Sequence, residues 1–128
     1  MRRWKAHQTA VPALRHGIIR RSALCELCRY RHNTHWSGAK RRLDRDLTGR
    51  FGSEGYAVEE LVAELAASFL CADLGVAHDP RDNTAAYLAS WLAVLKNDKR
   101  AIITAAAKAQ AAAEYLTALQ PAAGQEAA

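Results

Sequence analysis

Several things are scarce in this chain, and each scarcity narrows the choices. Only three of its 128 residues are cysteine. That odd number, with no secretory signal, argues against a disulfide-built secreted domain and points to a reducing cytoplasm. No uninterrupted apolar run is long enough to span a bilayer. The basic N-terminus is not followed by the apolar core of a signal peptide. Membrane insertion and export are therefore not expected. No convincing strand pattern stands out, although Gly17–Arg20 could be extended, and no internal repeat is found. Lysine and arginine are absent between Phe51 and Pro80.

What remains suits one helical domain with a modest core. Half of the residues are hydrophobic, which excludes global disorder. Much of that half is alanine, which favours helix but buries little area. The net charge is +5, unevenly spread. Residues 1–50 hold 13 basic and 3 acidic residues, a balance of +10, and residues 51–128 hold 5 and 10, a balance of −5. A basic half of this kind binds a polyanion or docks on an acidic surface.

Residues 1–30 carry arginines and scattered histidines with little periodicity, and short helical pieces are expected around Ile18–Leu27. Residues 31–37 read as a helix end stopped near Gly38, and the glycine-containing stretch 38–55 as a loop. Val58, Leu61, Val62, Leu65 and Phe69 mark a helix over 56–74, stopped by Gly75. A second helix is expected over 84–96, capped by Asp82 or Asn83, with Tyr87, Leu88, Trp91, Leu92 and Leu95 on its apolar side. A third runs from Asp98 to about Leu119, carrying Ile102, Ile103, Ala106, Ala113 and Leu116, and is ended by Pro121. The tail 121–128 is expected to fray.

Two acids mark the first helix. Glu60 and Glu64 are four apart and share a face, roughly opposite the apolar stripe. Ala63, Ala67 and Cys71 lie beside them, so the second side of the helix is expected to be packed too. The ordinary explanation is that Glu59 and Glu60, in the first turn, suit the helix dipole and that the basic 40–50 loop neutralises them. The alternative is a metal site. A helical zinc peptidase uses two histidines at i and i+4, a glutamate beside the first as general base, and a third ligand elsewhere.

The resemblance to a family favours the second. Thr34-His35-Trp36-Ser37-Gly38, Arg42-Leu43-Asp44-Arg45-Asp46-Leu47, Glu59-Glu60-Leu61-Val62-Ala63-Glu64-Leu65, Phe69-Leu70-Cys71-Ala72-Asp73-Leu74-Gly75 and Leu95-Lys96-Asn97-Asp98-Lys99-Arg100 occur in order. Residues 34–118 thereby resemble the C-terminal end of the zincin-like metallopeptidase domain of ArdC-type antirestriction proteins. The implied fold is mainly α, the helical C-terminal portion of a zincin-like domain over 31–120, without the upstream sheet. The implied cofactor is zinc. The resemblance makes His35 the second histidine ligand and Glu60 the third ligand. Glu64, by its spacing, is assigned beside the ligand shell.

The upstream half of the motif departs from the family. Without a gap, the first ligand falls on Arg31 and the base on His32. With a one-residue gap His32 becomes the first ligand. No glutamate stands between the histidines in either register, so impaired catalysis is expected. Residues 1–30 do not resemble the family, as an alternative start or a shifted reading frame would explain.

Two other readings compete. Cys25, Cys28, His32 and His35 are zinc-type residues, but three residues between the pairs leave little room for a finger. The basic 1–50 segment, with Arg41, Arg42 and Arg45 as contacts, suits single-stranded DNA or a DNA-associated protein. Faces left bare by a missing sheet would also allow self-association. Tyr87, Trp91 and Leu95 read as core.

Overall fold

The computed structural model describes residues 23–77 and 84–121, with side chains from 27–77 and 87–121. Four helices account for its regular structure: α1 (Ala23–Ser37), α2 (Glu54–Leu74), α3 (Thr84–Asn97) and α4 (Ala101–Ala118). There is no strand among the described residues. The chain is thus mainly α, as its patterning indicated. The extended reading of Gly17–Arg20, the Asp82 or Asn83 cap and most of the tail lie outside the described residues. The helix α1 runs across position 30, where a segment boundary was expected.

The central element is α2, which packs against all three other helices. Ser53 starts it: the Oγ accepts a hydrogen bond from the Tyr56 backbone N–H at 3.2 Å. The helix therefore begins two residues before the expected position, on a serine without its capping-box partner. Gly75 ends it with φ 67°, the left-handed turn that glycine adopts without steric cost. The Val76 N–H then reaches back to the Cys71 carbonyl at 2.8 Å, closing a Schellman motif.

The expected second packed side of α2 is buried. Ala63, Ala67 and Cys71 are buried there, as are Leu61 and Val62 of the apolar stripe, whereas Val58, Leu65 and Phe69 of that stripe are half-buried. One side meets Leu27, Tyr30 and Trp36 of α1 with Leu116 of α4. The other meets Trp91 and Val94 of α3 with Ala105, Ala109 and Ala112 of α4.

The small residues decide how α4 sits. Ala105, Ala109 and Ala112 recur at helical spacing and are fully buried, giving a smooth strip that lets α4 approach α2 closely. The larger Ile102 and Ile103, expected to face the core, are 38% and 70% exposed. On α3, Leu88 and Leu92 are likewise exposed, while Val94 takes a buried place. Close packing along the alanine strip takes precedence over side-chain size, and the bulkier residues turn out. Ala109→Leu should therefore overpack the α2–α4 contact and cost about 1–3 kcal/mol. Ile103→Gln should stay within about 0.5 kcal/mol of the parent. Urea denaturation of both variants measures the difference.

Candidate functional site

Where α1 crosses α2, charged side chains are buried together. On α1, residues 27, 31, 34 and 35 share the inward face, which carries Arg31 and His35 one turn apart. Glu59, Glu60 and Glu64 of α2 come to meet them, and all five of these ionisable side chains are buried. The Arg31 guanidinium spans two acids. Its Nη2 donates to Glu60 Oε2, and its Nη1 lies 3.1 Å from Glu64 Oε2. The Arg31 guanidinium also lies over the Tyr87 ring, 5.4 Å from its centre. Tyr87 in turn stacks with Trp91 at 6.0 Å.

His35 lies between two carboxylates. Its Nδ1 is 3.1 Å from Glu59 Oε1 and its Nε2 is 3.4 Å from Glu60 Oε1. A carboxylate only accepts, so the Nδ1–Glu59 bond requires the proton on Nδ1. Glu59 is fixed from behind by Arg45, whose Nε and Nη2 donate to its two oxygens at 3.1 and 3.0 Å. Burial pushes the Glu59 carboxyl up, but the hydrogen bonds from His35 and Arg45, with the Arg45 charge, outweigh it and hold the group below its ordinary value.

Tyr56 closes the site from the start of α2. Burial, a hydrogen bond with Tyr87 and the nearby Glu60 carboxylate push its phenol well above the ordinary range.

The loop after α1 supplies the remaining cations. Arg45 also donates to Ser37 Oγ at 3.1 Å and to the Thr34 carbonyl. Arg42 donates to the Trp36 carbonyl at 3.1 Å and lies 3.6 Å over the Trp36 ring. Both arginines therefore serve the open carbonyls and negative dipole end of α1. Gly38 makes room for this: a Cβ there would stand 2.7 Å from Arg45 Nη2. Arg41 is exposed. Of the three arginines read as nucleic-acid contacts, Arg42 and Arg45 make these internal contacts.

The structure brings His35, Glu60 and Glu64 into one cluster. It leaves His32 exposed, about 100° round the helix from Arg31. Helical geometry thus follows the ungapped register, in which position 31 faces the site and position 32 does not. Glu64 meets Arg31, and Glu59 fills the place against His35 Nδ1. Glu59 was legible only as a first-turn acid, and Arg31 only as a departure from a motif. The i, i+4 pairing of Arg31 with His35 was the available signal. Of the proposed Cys–His quartet, Cys28 and His32 are exposed, His35 is buried, and the Cys25 side chain lies outside the described residues.

A divalent metal does not fit this donor set. A guanidinium stays protonated and cannot ligate, and it already holds the carboxylate assigned as third ligand. Among the described residues, no group of three or more His, Cys, Asp or Glu side chains is arranged to hold a metal.

Residues 26–108 match the zincin-like metallopeptidase family. Over 86 residues the chain is 55% identical to uncharacterized protein y4eC of Sinorhizobium fredii and 48% identical to DNA primase TraC of Escherichia coli. That stretch is 67% of this chain but 28% and 8% of those proteins. The crystal structure of the antirestriction protein ArdC from plasmid R388, in a Mn(II)-bound form, superposes with a TM-score of 0.67 at 45% identity. The likeness covers 75% of this chain and 36% of that one.

Glu59 links the site to stability. Because its folded value is depressed, its contribution is full above the ordinary carboxyl range and is lost as pH falls through the folded value. Glu59→Gln should cost about 1.5–3 kcal/mol at neutral pH, since Arg45 and His35 lose a charged acceptor. The gap between variant and parent should narrow below about pH 4.3, the ordinary Glu value. Urea midpoints recorded from pH 7 to 3 measure both effects.

Proposed function

This chain belongs to the zincin-like metallopeptidase family, and we propose that it is a non-hydrolytic member of the antirestriction type. The observation that carries the reading is the pair at 31 and 32. An arginine stands where a metal ligand is needed, and a histidine on the exposed face stands where the base is needed. A missing general base alone removes about 10²–10⁴-fold of rate. A missing ligand removes the activated water that the base would serve. Zinc therefore has no place in the working state of this chain.

The reading also accounts for the polar cluster. Its acids are each met by a cation or by His35, so the cluster holds α1 against α2 rather than presenting an open coordination position. Among the described residues no helix is long and apolar enough to cross a membrane. Incubation with a fluorogenic peptide library and Zn(II) or Mn(II) should give no cleavage above the protein-free blank. Chelator-sensitive cleavage by the purified chain would remove the reading.

A second reading, nucleic-acid contact, draws on the loop cations that remain exposed. Lys40, Arg41 and Arg50 face outward on the 38–53 loop, while Arg42 and Arg45 turn inward. Phosphate contact by this side would give sequence-independent binding of single-stranded DNA that weakens steeply between about 50 and 200 mM salt. Changing Lys40, Arg41 and Arg50 together to Glu should abolish a gel shift seen at low salt. A shift that this triple change leaves intact would place the contact elsewhere.

A further inference from the structure

We infer that the Arg31 guanidinium is a built-in cation that takes the position and the electrostatic work of a metal ion at the α1–α2 crossing. Four observations converge on it. Arg31 stands one helical turn before His35, on the same face, where a first histidine ligand would reach a shared metal. Its guanidinium contacts Glu60, the residue that the family pattern makes the third ligand, and stands against Glu64 as well. His35 directs Nε2 toward that same Glu60 carboxylate at 3.4 Å. The His35 ring keeps the second support that orients a ligand histidine, Nδ1 against Glu59 backed by Arg45. The surroundings of a metal are thus in place around a side-chain cation.

Charge explains why a cation is needed there. Glu59, Glu60 and Glu64 are buried within two turns of α2. Arg45 answers Glu59. Without Arg31, Glu60 and Glu64 would lose the guanidinium that lies against both in a low-dielectric site, where removing one partner of a buried ion pair is strongly destabilising. A planar guanidinium suits the task because it bridges two carboxylates with separate N–H groups, which an ammonium does less well.

The inference goes beyond the non-hydrolytic reading while resting on the same register. It predicts that the protein is indifferent to metal and that one substitution makes it dependent. The full-length chain, Arg31→His, Arg31→His/Glu60→Gln and Arg31→Met are purified and dialysed against Zn(II). Metal content and thermal midpoint are then read with and without chelator. The parent should hold no stoichiometric zinc, and its midpoint should not move with chelator. Arg31→His should take up zinc and gain a higher midpoint as zinc rises. Adding Glu60→Gln should abolish both effects.

Zinc uptake by the parent that is lost on Glu60→Gln would overturn the inference, since metal and guanidinium cannot share the place. A folded Arg31→His that stays zinc-free would overturn it too. Should Arg31→His fold only with zinc present, that dependence supports it. Should Arg31→His fail to fold with or without zinc, the charge argument decides separately. Arg31→Met should lower the midpoint, and Arg31→Met/Glu60→Gln/Glu64→Gln should recover much of the loss because the acids needing a cation are gone. A triple variant no more stable than Arg31→Met overturns the inference. Such Glu60-dependent zinc uptake by the parent without turnover removes this inference alone; metal-free hydrolysis removes only the non-hydrolytic reading.

Discussion

Three carboxylates buried on one stretch of helix constrain everything around them. Glu59, Glu60 and Glu64 lie buried where α2 is crossed by α1. Such a cluster persists only if positive charge is brought in at hydrogen-bonding distance. The chain brings it from two directions. Arg31 comes from α1 itself, and Arg45 comes from the loop that follows. The first fixes the crossing of the two helices. The second ties the loop to both, because Arg45 also engages Ser37 and the Thr34 carbonyl. The absence of Lys and Arg from α2 follows from the same arrangement, since its cations are supplied by other segments.

The fold was legible to the extent that local chemistry dictates it. Gly75 and the α2 periodicity fixed that helix to within a turn, and the two-sided packing of α2 followed from the lack of basic residues along it. The facing of α3 and α4 was not legible. Helical periodicity identifies which residues share a side, but α4 offers two candidate sides, one with isoleucines and one with alanines. The choice depends on how closely the partner helix approaches, which is a tertiary quantity. Ala105, Ala109 and Ala112 take the interface because they permit the closer approach.

At the site, residue types were readable and pairings were not. Glu60 and Glu64 drew attention by spacing and His35 by family resemblance, and the structure gathers the three. Glu59 did not, because an acid in an early turn has an ordinary explanation in the helix dipole. Tyr87 was read as core, and its ring does pack with Trp91, but its other face lies under Arg31. The basic loop was read both as a neutraliser of the acids and as a polyanion surface. Arg45 does the first, and Lys40 and Arg41 remain turned outward. One run of sequence thus splits its roles residue by residue, according to which side chains the loop turn directs inward.

On the proposed non-hydrolytic reading, family likeness and chemistry part company for a physical reason. The residues that carry the likeness are those that orient and enclose a site: His35, Glu59, Glu60, Arg45 and the alanine-packed length of α2. Each of them also holds structure. Glu59 and Arg45 close the end of α1, and Glu60 answers Arg31. Removing a ligand from such a site leaves its supports with structural work, provided a cation replaces what is lost. On that reading, Arg31 supplies the cation against Glu60 and Glu64. The carboxylates then hold α1 against α2 without coordination chemistry. Fold membership and activity are separate properties, and on the proposed reading a single turn of α1 separates them.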